Sequence, residues 1–253
     1  MIDLKTPAQV DAMRQAGRMV AQLLQRLQEA VLPGVMTGAL DTLARETIAQ
    51  LGGTPAFKGY RGFPGYICTS VNEEVVHGIP GRRILKAGDI VGLDVGVCAQ
   101  GYYADAAITV PVGPISEAAQ QLIAVTREAL ARGMAMAVPG RRLSDISHAV
   151  QTAVESAGFS VVREYVGHGI GTQLHEDPQI PNYGSPGTGP VLKPGMVLAI
   201  EPMVTAGRPE VELLDDGWTA VTKDRRWSAH FEHTVAITED GPDILTQCPK
   251  KKP

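Results

Sequence analysis

Two aspartates in one short stretch are close enough in sequence to act together. Asp94 and Asp105 lie within residues 85–108, LKAGDIVGLDVGVCAQGYYADAAI. Apolar side chains alternate with small or polar ones over residues 91–98, which predicts a half-buried strand, and a second strand resumes after a glycine. If residues 99–100 form the turn, Asp94 lies directly opposite Asp105, with Cβ atoms roughly 4.5–5.5 Å apart.

Two carboxylates at that distance repel each other and need a compensating interaction. A shared proton would force one pKa upward, as in an aspartic dyad. A bound cation would make both charges favourable. An ordinary exposed hairpin with two solvated aspartates is the third interpretation, and the stretch alone leaves all three open.

An internal repeat with a period near 107 residues favours a functional interpretation. LKAGDIVGLDVGV (85–97) aligns with LKPGMVLAIEPMV (192–204), so that Asp94 matches Glu201. VVHGIPG (75–81) is echoed in the second half by VGHGIGT (166–172). A solvated face has no reason to repeat a carboxylate at one register, whereas a shared site does.

The elements that must position these side chains also repeat. Helical spacing of apolar residues predicts four helices, two in each half, near 7–31, 40–52, 116–137 and 143–158. The period is too long for a solenoid. The pattern predicts one α+β catalytic domain over residues 1–253, made of duplicated halves of approximately 10–112 and 113–247, in which helices cover an antiparallel sheet about a pseudo-two-fold axis.

The composition is that of a globular protein with no general affinity for nucleic acid. The chain has 253 residues, 44% of them hydrophobic and 20% charged, and a net charge of −4. Three separate cysteines without a CxxC motif indicate free thiols in a reducing compartment. With no signal-peptide pattern at the N-terminus, we expect a cytoplasmic protein. The tail Lys250–Lys252 reads as a solvated end.

Four carboxylates and one imidazole are the strongest candidates for a site. Besides Asp94, Asp105 and Glu201, they include His168 and Glu232. An oxygen-rich set with a single nitrogen suits two hard or borderline divalent ions that share carboxylates and a hydroxide. Paired ions of this kind recur in hydrolases.

The other histidines divide by their surroundings. His77 and His175, like His168, sit near glycines rather than on helix faces. His148 falls on a predicted helix, where a surface or core position is the expectation. His230 and His233 flank Glu232 and should alternate with it along one strand, and an orienting or plain surface role explains them as well as a catalytic one. No GxSxG elbow or complete phosphate-binding loop occurs.

Several specific runs together resemble type I methionine aminopeptidase over roughly residues 3–247. They are NEEVVHGIPG, LKAGDIVGLDVG, GYYADAA, VVREYVGHGIGTQLHEDPQIPNY, LKPGMVLAIEPMV and DGWTAVTKDRRWSAHFEHT. The resemblance implies the pita-bread fold, a duplicated α+β arrangement that agrees with the repeat.

The resemblance also implies a role for each candidate. Five residues would hold two metal ions: Asp94, Asp105, His168, Glu201 and Glu232. Glu201 would also act as general base toward the bridging water. His77 and His175 would contact substrate, with His175 stabilising the tetrahedral intermediate. The methionine side chain would lie against Tyr60, Phe63, Cys68 and Trp218.

The implied activity is removal of the initiator methionine from nascent polypeptides through a metal-bridged hydroxide, with a preference for a small second residue. The ligand set tolerates Co, Mn, Fe, Zn and Ni. The implied partners are nascent peptide N-termini at the ribosome, and a monomer is the expected state.

The chain departs from the family pattern at a few positions. Alanines 104, 106 and 107 surround Asp105 where the family usually has GDTS, which predicts that Asp105 lacks supporting hydroxyl groups. Gly96 stands where threonine is frequent. Phe57 and Leu174 replace the commoner pocket residues.

Two alternatives remain in view. Other pita-bread hydrolases, such as prolidase, carry a large additional N-terminal domain. The type II enzymes carry an insertion in their second half, and the 31 positions between Glu201 and Glu232 leave no room for it. A metal-free binding module of the same fold is the alternative from a different class. Such a module would be expected to lose ligands, and all five are present.

Overall fold

The structure is a computed structural model that describes residues 2–247. The basic tail and Cys248 lie outside the described residues. All four predicted helices are present within one or a few residues of the expected ends: α1 Pro7–Ala30, α2 Thr37–Leu51, α3 Glu117–Ala135 and α4 Leu143–Ser156. No helix in the described range is both long enough and apolar enough to cross a membrane.

Local sequence explains where these helices begin and end. The Thr6 side chain accepts the Gln9 N–H at the start of α1, and Ser116 accepts the Ala119 N–H at the start of α3. Gly52 ends α2 in a left-handed conformation, φ +75°, which glycine adopts without steric cost.

Within residues 2–247, fifteen strands make three antiparallel sheets. The strands are β1 Thr54–Pro55, β2 Cys68–Val71, β3 Glu74–Val76, β4 Ile90–Ala99, β5 Tyr102–Pro111, β6 Ser160–Val161, β7 Gly167–Gly169, β8 Glu176–Ile180, β9 Val197–Ile200, β10 Met203–Thr205, β11 Val211–Leu213, β12 Ala220–Thr222, β13 Ser228–His230, β14 Glu232–Thr238 and β15 Gly241–Ile244. The largest sheet has the order β1-β4-β5-β14-β9-β7-β8, with β2 beside β4 and β15 beside β14.

The helices cover one side of this sheet and leave the other side for the site. Leu23 of α1 and Ile48 of α2 are buried in one core cluster with Leu93 of β4. Ile146 of α4 is buried in a second cluster with Ile200 of β9. The predicted α+β class, an antiparallel sheet covered by helices, is confirmed.

Matched hydrogen bonds support the predicted duplication. The Gly34 N–H donates to the Leu85 carbonyl at 2.8 Å, and the Gly140 N–H donates to the Leu192 carbonyl at 3.0 Å. Donors and acceptors are 106 and 107 positions apart, as 140 − 34 and 192 − 85 show. The duplication and its boundaries stay a prediction.

The central hairpin differs in register from the prediction. Gln100 and Gly101 form its turn, with φ of +52° and +79°, so Asp94 pairs with Ala107 and Asp105 pairs with Gly96. A two-residue turn with both φ values positive matches the strand twist and favours glycine at its second position, which is why the turn sits one residue later. The expected direct opposition is therefore wrong. The shift is two positions in register, so both aspartates remain on one face as diagonal neighbours.

Candidate metal centre

Strand register brings the predicted ligands into two adjacent rows across the large sheet. In the first row, Cys68 of β2 pairs with Asp94 of β4, Asp94 pairs with Ala107 of β5, and Ala107 pairs with Glu232 of β14. Glu201 directly follows β9, the next strand in the sheet. Small Ala107 between two acidic side chains leaves space above the sheet.

The second row lies two residues further along the same strands and therefore faces the same side. Asp105 belongs to this row, and Ala199 of β9 pairs with both Thr234 and His168. A distance of 3.5 Å separates His168 Nε2 from Asp105 Oδ2, and 3.9 Å separates it from Glu232 Oε1. Ligand atoms of these three buried residues all lie within 4.8 Å of one another.

The orientation of His168 suits a metal ligand. Its Nδ1 lies 3.0 Å from the carbonyl oxygen of Gly169, so Nδ1–H donates there. The lone pair of Nε2 then faces the carboxylates. A hydrogen bond from one ring nitrogen commonly sets the tautomer in which the other nitrogen binds a metal.

The carboxylates are buried beyond what the surrounding donors can support. Burial raises the pKa of Asp94 and of Glu201 to about 8, and repulsion from neighbouring carboxylates adds to the effect. Burial and the same repulsion raise the pKa of Glu232 well above its ordinary value, and burial raises that of Asp105. Asp94 Oδ1 and Glu232 Oε1 have no hydrogen-bond partner among the described residues. A cation is the group that this arrangement fits, because it makes buried like charges favourable.

Asp105 has hydroxyl support from an unexpected strand. The Thr234 hydroxyl of β14 lies 3.1 Å from Asp105 Oδ1 and 2.8 Å from the Asp105 carbonyl oxygen, and it accepts the Asp105 N–H at 3.1 Å. Thr234 is completely buried. The prediction that Asp105 lacks hydroxyl support is therefore wrong, since a residue 129 positions away supplies what its alanine neighbours cannot.

Two of the departures from the family pattern compensate each other. A Cβ added at Gly96 would lie 2.6 Å from Cε1 of the Phe57 ring and 2.9 Å from Cβ of Ala56. Phe57 lines the cavity beside the carboxylates. Glycine at position 96 thus leaves the space that the Phe57 ring occupies.

All eleven residues predicted from the sequence line a single open cavity. They are Tyr60, Phe63, Cys68, His77, Asp94, Asp105, His168, His175, Glu201, Trp218 and Glu232. Phe57, Arg61 and Leu174 complete its lining. The Phe63 and Trp218 rings meet edge to face with centroids 5.1 Å apart. One end of the cavity is therefore acidic and the other aromatic.

Two neutral imidazoles flank the acidic end. Burial and the nearby His230 lower the pKa of His77 to about 4. Burial, His168 and Arg61 lower the pKa of His175 to about 3. His175 Nδ1 lies 2.9 Å from the Tyr60 hydroxyl, and the two rings stack. At pH 7 both imidazoles can donate one hydrogen bond without carrying charge.

The other three histidines lie in three different environments. His148 is exposed on α4, as expected. His233 follows Glu232 in β14 and alternates with it as expected, whereas His230 does not share that strand, because β13 ends at His230 and β14 begins at Glu232. His233 Nδ1 lies 2.8 Å from the Thr246 hydroxyl, away from the cavity. His230 is buried with its Nε2 3.4 Å from Glu201 Oε1, so the surface interpretation is wrong for it.

Divalent metal should stabilise the protein more at pH 8 than at pH 5. In the metal-free protein, Asp94 and Glu201 have folded pKa values of about 8, well above their unfolded values of about 4. The unfolded chain ionises first, so the free energy of unfolding falls as pH rises from about 4 to about 8. A bound cation favours the ionised carboxylates and removes that loss.

Thermal unfolding with chelator and with excess Mn²⁺ measures this difference. We expect a larger rise in Tm at pH 8, and a smaller difference between the two pH values in Asp94→Asn, whose side chain does not ionise. Equal rises at both pH values in the wild-type protein would contradict the assignment.

The chain matches known proteins over nearly all of its length. The model of metallopeptidase family M24 matches residues 11–239. Methionine aminopeptidase 1 of Bacillus subtilis is 58% identical over 247 residues, covering 98% of this chain and 100% of that protein. Methionine aminopeptidase of Escherichia coli is 45% identical, covering 97% of this chain and 94% of that protein.

Solved structures agree. The crystal structure of methionine aminopeptidase from Thermotoga maritima has a TM-score of 0.97 at 52% identity, covering 98% of this chain and all of that chain. Prolidase from Pyrococcus furiosus has a TM-score of 0.80 at 22% identity, and the match covers 66% of that longer chain. The second likeness concerns the fold alone, and together the two confirm the predicted pita-bread architecture.

Proposed function

Since the chain belongs to metallopeptidase family M24, we propose that it is a methionine aminopeptidase that removes the initiator methionine from nascent polypeptides. The family that the sequence motifs predicted is confirmed. The observation that carries the proposal is the meeting of a buried acidic cluster and an aromatic slot in one cavity. Neither a prolidase-like activity nor a metal-free binding role has a specific feature in its favour.

Membership of a metallopeptidase family implies a divalent metal cofactor. We propose two ions, held by Asp94, Asp105, His168, Glu201 and Glu232. Bound there, divalent ions would polarise the scissile carbonyl and lower the pKa of water. Co, Mn, Fe, Zn and Ni all suit the set of four carboxylates and one imidazole, so cellular availability decides among them.

The protein's own groups handle the protons of peptide hydrolysis. Glu201 accepts a proton from the attacking water at its carboxylate as the new C–O bond forms. The same proton passes to the nitrogen of the breaking C–N bond, so that free methionine and a shortened peptide leave. Proton transfer by a positioned carboxylate contributes about 10²–10⁴-fold to such reactions.

Neutral histidines stabilise the charge that develops on the carbonyl oxygen. His175 donates from Nε2–H in the tautomer in which its Nδ1 accepts a hydrogen bond from the Tyr60 hydroxyl, 2.9 Å away. His77 lines the cavity beside Trp218, with ring centroids 6.3 Å apart, and contacts the substrate from that side. Fixed donors aimed at a developing oxyanion need no reorganisation during the reaction.

The aromatic end of the cavity receives the methionine side chain. Phe63 and Trp218 meet edge to face there, and the Cys68 side chain borders the acidic end. A flexible thioether packs well against aromatic rings. The free α-amino group of the substrate carries positive charge, which suits the neighbouring carboxylates.

Tyr60→Phe should lower kcat about tenfold and leave metal binding unchanged. The substitution keeps the stacked ring but removes the hydroxyl whose donated hydrogen bond leaves the proton of His175 on Nε2. Steady-state kinetics at saturating metal will measure kcat and KM. An unchanged kcat would show that the hydroxyl does not position His175, and Tyr103→Phe, outside the cavity lining, is the matched control.

The activity itself is tested with the tripeptide Met-Ala-Ser and the metal-loaded protein. We expect free methionine and Ala-Ser as the only products, identified by mass spectrometry. N-acetylated Met-Ala-Ser should remain intact, because an aminopeptidase acts on a free N-terminal amine, which the acetyl group blocks. Cleavage of the blocked peptide, or no cleavage of the free one, would contradict the proposal.

A small second residue should be preferred. We expect Met-Ala-Ser to be cleaved at least about tenfold faster than Met-Lys-Ser, because the residue after methionine must fit beside the ligands where space is limited. Ratios of kcat/KM from the two peptides measure the preference. Equal values would contradict a tight neighbouring pocket.

The setting follows from the proposed substrate. Nascent peptide N-termini are available at the ribosome in the cytoplasm, and we propose that the protein acts there as a monomer and as a single catalytic domain over residues 1–253. Sedimentation of the purified protein tests the monomer.

A further inference from the structure

His230 is a buried polar side chain that the proposed reaction does not use. The residue is 2% exposed at the end of β13. Its Nε2 has no hydrogen-bond partner among residues 2–247. Buried polar atoms are nearly always paired, so an unpaired one at the edge of a reaction site requires an explanation.

The backbone of His230 is held firmly by neighbouring strands. Its N–H donates to the Thr109 hydroxyl of β5 at 2.8 Å, and its carbonyl accepts from the same hydroxyl at 2.8 Å. His230 also pairs with Met203 of β10. Contacts with β5 and β10 therefore hold the backbone of His230, from which its side chain extends, in a fixed position.

The ring points its unpaired nitrogen at Glu201. A distance of 3.4 Å separates His230 Nε2 from Glu201 Oε1. The backbone of Glu201 is held in place, because the buried Asn182 side chain donates a hydrogen bond to its carbonyl oxygen at 2.8 Å. Glu201 is ionised when it holds a cation, and an ionised carboxylate can only accept hydrogen bonds, so the matching group on His230 in the metal-loaded protein is an N–H at Nε2.

Both buried imidazoles bring Nε2 close to a carboxylate oxygen, at 3.5 Å for His168 and Asp105 and at 3.4 Å for His230 and Glu201. They differ at the other ring nitrogen. His168 directs Nδ1–H to the Gly169 carbonyl, which leaves the Nε2 lone pair facing Asp105 and Glu232. Among the described residues no hydrogen bond at Nδ1 sets the tautomer of His230 in that way, so its Nε2 can carry the proton.

We propose that, once metal ions are bound, His230 is a positioning residue whose Nε2–H donates to Glu201 Oε1, two atoms that lie 3.4 Å apart in this structure without forming a hydrogen bond. The hydrogen bond occupies one carboxylate oxygen and orients the other toward the water that Glu201 deprotonates. The purpose of this orientation rests on the proposed function, whereas the hydrogen bond itself does not.

The position of the proton can be measured without any reaction. Ring nitrogens of ¹⁵N-histidine-labelled, Zn²⁺-loaded protein are observed by NMR, and the His230 signals are assigned by their absence from His230→Gln. We expect Nε2 of His230 to carry a proton while Nε2 of His168 does not. An unprotonated Nε2 at His230 would mean that it binds the ion or faces Glu201 with its lone pair, and it would overturn the proposal.

Two substitutions test the consequence. His230→Gln places an amide N–H near the former Nε2, whereas His230→Leu keeps comparable bulk without a donor. At saturating metal, the leucine variant should lose about 10–100-fold in kcat with little change in KM or bound Zn²⁺, and the glutamine variant should recover most of the rate.

Each outcome has one meaning. Equal losses in both variants, or wild-type kcat in the leucine variant, would overturn the positioning role. If the wild-type protein releases no methionine, the proposed function fails, but the NMR measurement on the folded wild-type protein still decides the hydrogen bond.

Discussion

Glu201→Gln should lower kcat for Met-Ala-Ser by about 10²–10⁴-fold while the protein stays folded. Glutamine matches the shape of glutamate but cannot accept the proton of the attacking water. Burial already raises the pKa of Glu201 to about 8, so a neutral side chain at this position relieves rather than adds unfavourable charge in the metal-free protein. Its Tm in chelator should therefore equal or exceed that of the wild-type protein.

The assay must separate proton transfer from metal loss, because Glu201 is also a proposed ligand. Bound metal is measured alongside kcat, and the assay uses metal concentrations that saturate each variant. Glu210→Gln, which neutralises an exposed carboxylate outside the cavity lining, is the matched control and should behave as wild type. A metal-loaded Glu201→Gln protein with normal turnover would remove Glu201 as the base.

His77→Ala should reduce kcat by about 10²–10³-fold and leave bound metal nearly unchanged. His77 lines the cavity, but it is outside the group of Asp105, His168 and Glu232 whose ligand atoms converge. Its neutral imidazole offers a donor at pH 7, because burial lowers its pKa to about 4. Loss of rate and of metal in equal proportion would mean that His77 supports the ions rather than the substrate.

The backbone at His77 requires a second variant. Its φ of +60° is a left-handed conformation, which strains alanine but not glycine. His77→Gly removes the same ring without that strain. We expect both variants to lose the same amount of rate and the glycine variant to unfold at a temperature no lower than that of the alanine variant, because alanine keeps the Cβ that strains the wild-type histidine at this φ. Recovery of rate in the glycine variant would assign the loss to the backbone.

The elements, and the face of the sheet that carries the proposed ligands, could be predicted because local signals and the repeat agree. Thr6 and Ser116 accept backbone N–H groups at the helix starts that their sequence context predicts. The alignment of Asp94 with Glu201 selected a site on the correct face of the sheet, although the turn at Gln100–Gly101 shifted the pairing by two positions. A register error of two residues leaves every side chain on the same face of the sheet. Both aspartates were therefore still predicted on the correct face.

Interactions across distant strands could not be predicted in the same way. The Thr234 hydroxyl contacts Asp105 from 129 positions away in the sequence. Only its spacing of two residues from Glu232 could have indicated that Thr234 lies on the same face of the sheet as Glu232. The compensation between Gly96 and Phe57 depends on a ring that packs against the sheet from a loop. The prediction for His230 assumed one continuous strand. The strand is instead interrupted at Phe231, and the His230 imidazole lies beside Glu201.

Methionine release during metal titration tests the central claim most directly. Metal-free protein receives Mn²⁺ in steps under exclusion of oxygen, and free methionine from Met-Ala-Ser is measured with the bound metal at each step. We predict no release in chelator and a rate that rises with bound metal, reaching its maximum at no more than about two ions per chain. Full release in chelator, with less than about a tenth of an ion bound per chain, would contradict a metal-dependent site at the carboxylates.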